Sequence, residues 1–118
     1  MHGFERGDVV KVPFPYMDKS TRQSRPALVV STGAALEPHR LLWVVMITSA
    51  ENRGWRGDIG VSGLAAAGLP VPSVIRTAKI ATIEAADAAR LGQVSPAVLR
   101  KVVTELVVVL GLDEERAR

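Results

Sequence analysis

The sequence predicts one mainly β domain, a small barrel or sandwich of five or six short strands finished by an amphipathic C-terminal helix. Three observations predict it. The chain has 118 residues, 47% of them apolar and 23% charged, enough for a single core and too apolar for disorder. Short apolar segments broken by Gly and Pro fill roughly the first 84 residues. After Ser95 the apolar residues change from strand-like runs to helical spacing.

Asp8 to Phe14 alternates Val and Lys and stops at Pro13 and Pro15, which reads as a first strand. Tyr16 to Ser24 is polar and turn-rich, and Pro26 to Ser31 reads as a second strand, placing Arg25 at a loop–strand junction. Leu41 to Thr48 holds the longest apolar run and predicts a central strand buried on both faces, Trp43 included. A Gly-broken loop, Glu51 to Arg56, leads to a short strand at Asp58 to Val61, and residues 62–72 read as a connection. Ser73 to Arg76 and Lys79 to Glu84 read as two further strands, and Ala85 to Ala89 as a short helix. Ser95 then Pro96 predict a helix start, Val98, Leu99, Val102, Val103, Leu106, Val107 and Leu110 form its stripe, and Gly111 ends it. The division expected is a barrel over about 6–84 and a helical part over about 85–112 of one domain spanning 1–118. The last helical turn is apolar almost all round, more than packing within one chain requires, so a subunit interface is a second use for it.

Composition removes several functions. With no cysteine there is no disulfide framework, no thiolate metal site and no thiol nucleophile. The longest apolar run, Leu41 to Ile47, is far short of the roughly 18 residues that span a bilayer, and Met1 to Asp8 lacks the apolar stretch of a secretory signal, so a cytoplasmic location is expected. His2 and His39 read as solvated surface residues, and no HExxH, phosphate-binding glycine loop or GxSxG is present. No metal or other cofactor is expected.

The pI near 9.8 rests on a net charge of only +3. The excess sits in residues 1–79, and 11 of the 15 basic residues are Arg. Arginine suits bidentate phosphate binding, although codon bias in a GC-rich genome gives the same count. Chemistry can live at the ends of the apolar strands: Arg25 beginning the second, Thr48 and Ser49 ending the third, Arg76 ending the fifth. A guanidinium and a hydroxyl converging there could bind a phosphodiester and stabilise charge developing on it; the plainer reading is a surface Arg and a strand-end hydroxyl bonded to backbone. Phe14 and Tyr16 flank the first loop, which also carries Lys19 and Arg22, and Trp55 lies between Arg53 and Arg56. Aromatics among cations are how single-strand stacking platforms are built, while Phe14 could equally belong to the core.

An ordered set of segments then carries a resemblance: Arg6-Gly7-Asp8 into the first strand, Arg25-Pro26-Ala27-Leu28-Val29-Val30-Ser31, Ile47-Thr48-Ser49, Gly57-Asp58-Ile59, Gly68-Leu69 to Ser73-Val74-Ile75-Arg76, Ile83, and Leu91-Gly92 before the terminal helix. From about residue 6 to 112 the chain resembles the MazF/PemK toxins of toxin–antitoxin modules. The resemblance implies a small SH3-like β-barrel with a C-terminal helix, a homodimer, and a sequence-specific, metal-independent endoribonuclease. Such an enzyme cuts single-stranded RNA, often mRNA, by 2′-OH attack, and an acidic antitoxin threaded over the RNA groove neutralises it. Carried residue by residue, it makes Arg25 and Thr48 catalytic. Arg25 would stabilise the phosphorane, and Thr48 would orient the scissile phosphate. Asp18, Ser49 and Arg76 are auxiliary candidates.

Two departures from the family pattern leave the general base unassigned. The first loop reads Asp18-Lys19-Ser20-Thr21-Arg22-Gln23-Ser24, where some members carry Glu-Gln or His, and position 78 is Ala where one branch has Asp. They keep open a second reading, a catalytically weak RNA- or antitoxin-binding protein on the same fold. A third, a CcdB-like gyrase poison, is disfavoured by the ending Glu114-Glu115-Arg116-Ala117-Arg118 in place of a Trp-Gly-Ile type of tail.

Overall fold

Alternation and β-branched residues put six strands into one antiparallel sheet. A computed structural model describes residues 3–14 and 23–112. The strands are β1 (Asp8–Phe14), β2 (Gln23–Val29), β3 (Leu41–Ser49), β4 (Asp58–Gly60), β5 (Ser73–Glu84) and β6 (Ala89–Gln93), in the spatial order β4-β5-β3-β2-β1-β6. Two one-turn helices, α1 (Gly33–Leu36) and α2 (Leu64–Ala67), lie in connections, and α3 (Pro96–Leu110) ends the described chain.

Both faces of the middle strands are buried, because the sheet curls around one core and carries helices over the other. Val10, Val12, Ala27, Val29, Leu42, Val44 and Met46 form one cluster. Val9, Leu28, Val45, Ile47 and Ile75 form the other with Val98 and Val102 of α3 and Ala67 of α2. Such strands read as continuous apolar runs. Trp43 departs from the expectation: it sits where β3 extends past the second cluster and is 48% exposed.

Among the described residues the hydrogen-bonded ladder does not close, so the fold is barrel-like with a seam. The chain leaving edge strand β4 forms α2 and packs on the other edge strand, β6, through two glycines. A Cβ on Gly92 would lie 2.3 Å from the Ala66 carbonyl oxygen, and one on Gly68 would lie 2.2 Å from that of Leu91. Gly68 also adopts φ +74 as the α2 C-cap. Only residues without side chains allow this backbone-on-backbone contact.

Three expectations are corrected. The two strands expected over residues 73–84 are one strand, β5, with Thr77 to Lys79 bulged out of register: Met46 pairs with Arg76 and Val45 with Ile80. Arg76 therefore lies within β5, not at its end, and the bulge is anchored by Thr77 Oγ1 donating to the Gly57 carbonyl at 2.9 Å. The helix expected at 85–89 is a 3-10 turn, Ala85–Asp87, followed by β6, whose first residue, Ala89, pairs with Lys11 of β1 and leaves no room for a longer helix. β2 begins at Gln23, which places Arg25 inside the strand opposite Val12.

The C-terminal helix forms as the sequence predicts. Ser95 Oγ accepts from the Val98 N–H at 3.2 Å, Pro96 occupies the first turn and Gly111 ends the helix at φ +77. Val98 and Val102 pack on the core, whereas Val108, Val109 and Leu110 are exposed. No helix among the described residues is long and apolar enough to cross a membrane.

Candidate active site

The polar site begins where the cluster containing Ala27 and Met46 runs out. Ala27 pairs with Met46 in the last step of the β2–β3 ladder, and beyond it the strands separate. Arg25 continues β2 on the face of Ala27, and Thr48 continues β3 on the face of Met46. On the other side of β3, Met46 pairs with Arg76, and Arg76 pairs with Asp58 of β4. Arg25, Thr48, Arg76 and Asp58 thus come from four adjacent strands onto one face. Arg25, Met46, Thr48, Asn52, Arg76 and Lys79 line a cavity of about 130 Å³ there. The β5 bulge supplies Lys79, a use of irregularity that recurs beside functional sites.

One wall of the cavity is fixed by charge. Arg76 Nε donates to Asp58 Oδ1 at 3.1 Å, and its Nη2 donates to Asp58 Oδ2 at 2.9 Å and to the Asn52 carbonyl at 2.7 Å. Both side chains of the pair are about nine-tenths buried. Asp58 Oδ2 also accepts from the Gly54 and Trp55 N–H groups, each at 3.2 Å. The hydrogen bond from Arg76 holds the Asp58 carboxyl below its ordinary value, with the two loop N–H groups adding to it and burial opposing it. The same contact raises the already high value of Arg76. The guanidinium carbon lies 4.3 Å from the centroid of the Trp55 ring.

The other wall is more open. Arg25 is exposed, with a long 3.4 Å contact from Nη2 to Gln23 Oε1. Thr48 is half-buried, and its Oγ1 accepts from Asn52 Nδ2 at 3.0 Å. This side can receive an anion without first breaking a strong ion pair, whereas the Arg76 charge is already matched by Asp58.

The remaining predicted residues fall into three groups. Ser49 Oγ caps the following 3-10 turn, Ala50–Asn52, by accepting from Glu51 N–H at 3.2 Å. Arg53 Nη1 closes the same turn on the Ala50 carbonyl at 2.9 Å, while Arg56 is exposed and Trp55 is half-exposed. Tyr16, Asp18, Lys19 and Arg22 lie outside the described residues, as does the side chain of Phe14, whose backbone ends β1. Asn52, Asp58 and Lys79 belong to the site but were not among the predicted residues. The spacing of Asn52 four residues after Thr48 was a readable signal; the Asp58–Arg76 pair depended on strand register.

Fold and site together define a class: a small barrel-like sheet with a C-terminal helix and an Arg- and Thr-lined cleft at its strand ends. Residues 5–110 match the family model for PemK-like, MazF-like toxins of type II toxin–antitoxin systems, and the chain belongs to that family. Among solved structures it is similar to MazF from Deinococcus radiodurans, at 22% identity and a TM-score of 0.75 over 94% of this chain and 99% of that one. It is similar to an endoribonuclease in complex with its cognate antitoxin from Mycobacterial species, at 22% identity and a TM-score of 0.72 over 94% and 96%. A third is the Mycobacterium tuberculosis toxin MazF-mt6, at 19% identity and a TM-score of 0.69 over 88% and 96%. A search of curated protein sequences returned no match.

Proposed function

We propose that this toxin-family chain is a sequence-specific, metal-independent endoribonuclease that cuts single-stranded RNA, mRNA included, in the cytoplasm. The observation that carries the proposal is the single cleft shared by Arg25 and Thr48 at the end of the β2–β3 ladder. In the reaction, the substrate 2′-oxygen forms a bond to phosphorus and the P–O5′ bond breaks. The proton of the 2′-OH passes to a base and the departing 5′-oxygen gains one, giving a 2′,3′-cyclic phosphate and a 5′-OH. Arg25 stabilises the negative charge that builds on the phosphorane oxygens, and Thr48 donates to a non-bridging oxygen. A permanently protonated guanidinium does not serve as the base. Asp18 is the candidate for that role in the first loop. The remaining substrate contacts fall to Trp55, Arg53 and Arg56 with Phe14, Tyr16, Lys19 and Arg22.

A homodimer and an acidic antitoxin complete the reading. The exposed Val108, Val109 and Leu110 of α3, with Trp43 and Ile80 exposed on β3 and β5, support association of two copies. Two chains double the formal +3 and widen the basic groove, which also favours an acidic partner.

The test incubates purified protein with a long unstructured RNA in EDTA and maps new ends. Defined cuts leaving 5′-OH and cyclic phosphate ends are expected. RNA bound but left intact would favour the weak-binding reading.

A further inference from the structure

We infer that Asn52 is a positioning residue that sets the direction of the Thr48 hydroxyl, so that its proton points into the cleft; the inference rests on the nuclease reading of that cleft. A threonine hydroxyl can donate once and accept twice, and its rotor is otherwise free to turn toward either use. Here Asn52 Nδ2, which can only donate, lies 3.0 Å from Thr48 Oγ1. That contact occupies an acceptor site and leaves the proton for another partner. Among the described residues no acceptor takes it. A hydroxyl held this way is prepared to donate to a phosphate oxygen entering the cavity that Thr48 and Asn52 both line.

Asn52 can do this because its own position is fixed from two sides. It ends the 3-10 turn that Ser49 caps. Its carbonyl accepts from Arg76 Nη2 at 2.7 Å, and Arg76 is itself locked to Asp58 and covered by Trp55. The buried ion pair therefore acts on the cleft through Asn52: Arg76 fixes the backbone, the backbone aims the amide, and the amide orients the hydroxyl. Side-chain truncation at Asn52 leaves the Arg76 bond in place, because that bond is to the main chain.

The chain of contacts predicts a particular pattern of variants. Asn52→Ala frees the rotor and should lower kcat about 10-fold and weaken binding of an uncuttable oligonucleotide about 3-fold, at an unchanged melting temperature. Asn52→Asp replaces the donor by an acceptor. It draws the hydroxyl proton away from substrate, and should be worse than Asn52→Ala at neutral pH and approach it as the pH falls through the carboxylate range. In a Thr48→Ala background the Asn52→Ala effect should vanish. Additive losses, or Asn52→Asp equal to Asn52→Ala at every pH, would overturn the inference.

The same cycle, run as binding of a 2′-deoxy-substituted oligonucleotide that cannot be cut, separates this claim from the nuclease reading. No cleavage by the wild type with coupling between positions 48 and 52 preserved in binding overturns only the nuclease reading. Cleavage with additive effects overturns only the role of Asn52, and a wild type that neither binds nor cuts overturns both.

Discussion

The β-ladder stops in two places, and the chain treats them oppositely. At the seam between α2 and β6, Gly68 and Gly92 let backbone meet backbone with no space for a methyl group. At the end of the β2–β3 ladder, by contrast, Arg25, Thr48, Asn52 and Arg76 line an open polar cleft. The first place closes the fold by removing side chains. The second gathers polar side chains, and the proposed chemistry is placed there. Substitutions at the seam should therefore act on stability, and those on the open wall of the cleft on cleavage.

The largest effect is expected at the seam. Gly92→Ala forces a Cβ against the Ala66 and Ala67 backbone, which cannot move as a flexible side chain would. A loss of about 3 kcal/mol in urea unfolding is expected, at the upper end of the range for overpacked sites. A variant as stable as wild type would show that the seam is loose. Next comes Arg76→Met at the inner wall of the cleft. It removes the hold on Asn52 and Asp58 and should slow cleavage about 10-fold through misplacement of Thr48. Faster amide exchange at Gly54 and Trp55, whose N–H groups bond to Asp58, should accompany it.

Trp55→Ala should act on binding more than on chemistry. The ring has one face on Arg76 and is 50% exposed, so a base can stack on the other. Loss of stacking worth ~1 to 3 kcal/mol should weaken RNA affinity about 5- to 150-fold in a titration. A rise in KM without a comparable fall in kcat is expected. The smallest effect is the acid limb of stability. The carboxyl of Asp58 lies lower in the folded chain than its ordinary 3.8, so its contribution is present above that value and is lost as the pH falls through the folded one. Asp58→Asn should flatten that part of the stability–pH curve below about pH 4 and leave its slope near neutrality unchanged.

The contrast also explains what the sequence disclosed. Runs such as Leu41 to Ile47 and the stripe from Val98 to Leu110 carry their burial in local periodicity, so the central strand and terminal helix were legible. β6 was not, because Ala89 to Gln93 is a short segment with no β-branched residue, and only its pairing with β1 makes it a strand. The bulge in β5 likewise appeared as a gap between two strands, since the sequence shows the break at Thr77 and Ala78 but not that β3 pairs on both sides of it.

In the cleft, Arg25, Thr48 and Arg76 could be picked out because polar residues at the ends of apolar strands stand apart. Their separate circumstances could not. That Asp58 already matches the Arg76 charge, while Arg25 faces solvent, follows from the Asp58–Arg76 register across 18 residues. Asn52 stood in the sequence at a readable spacing, four residues after Thr48, but its amide meets the hydroxyl only once the 3-10 turn forms.

The most direct test of the central claim measures stability and cleavage together for Arg25→Ala. Its side chain is exposed and among the described residues makes only a long contact to Gln23, so the melting temperature should stay within about 2 °C of wild type, as for surface substitutions generally. Removal of the guanidinium from the developing phosphorane charge should reduce site-specific RNA cleavage about 100- to 1,000-fold. A folded Arg25→Ala protein that cuts the same RNA at the wild-type rate would contradict the account.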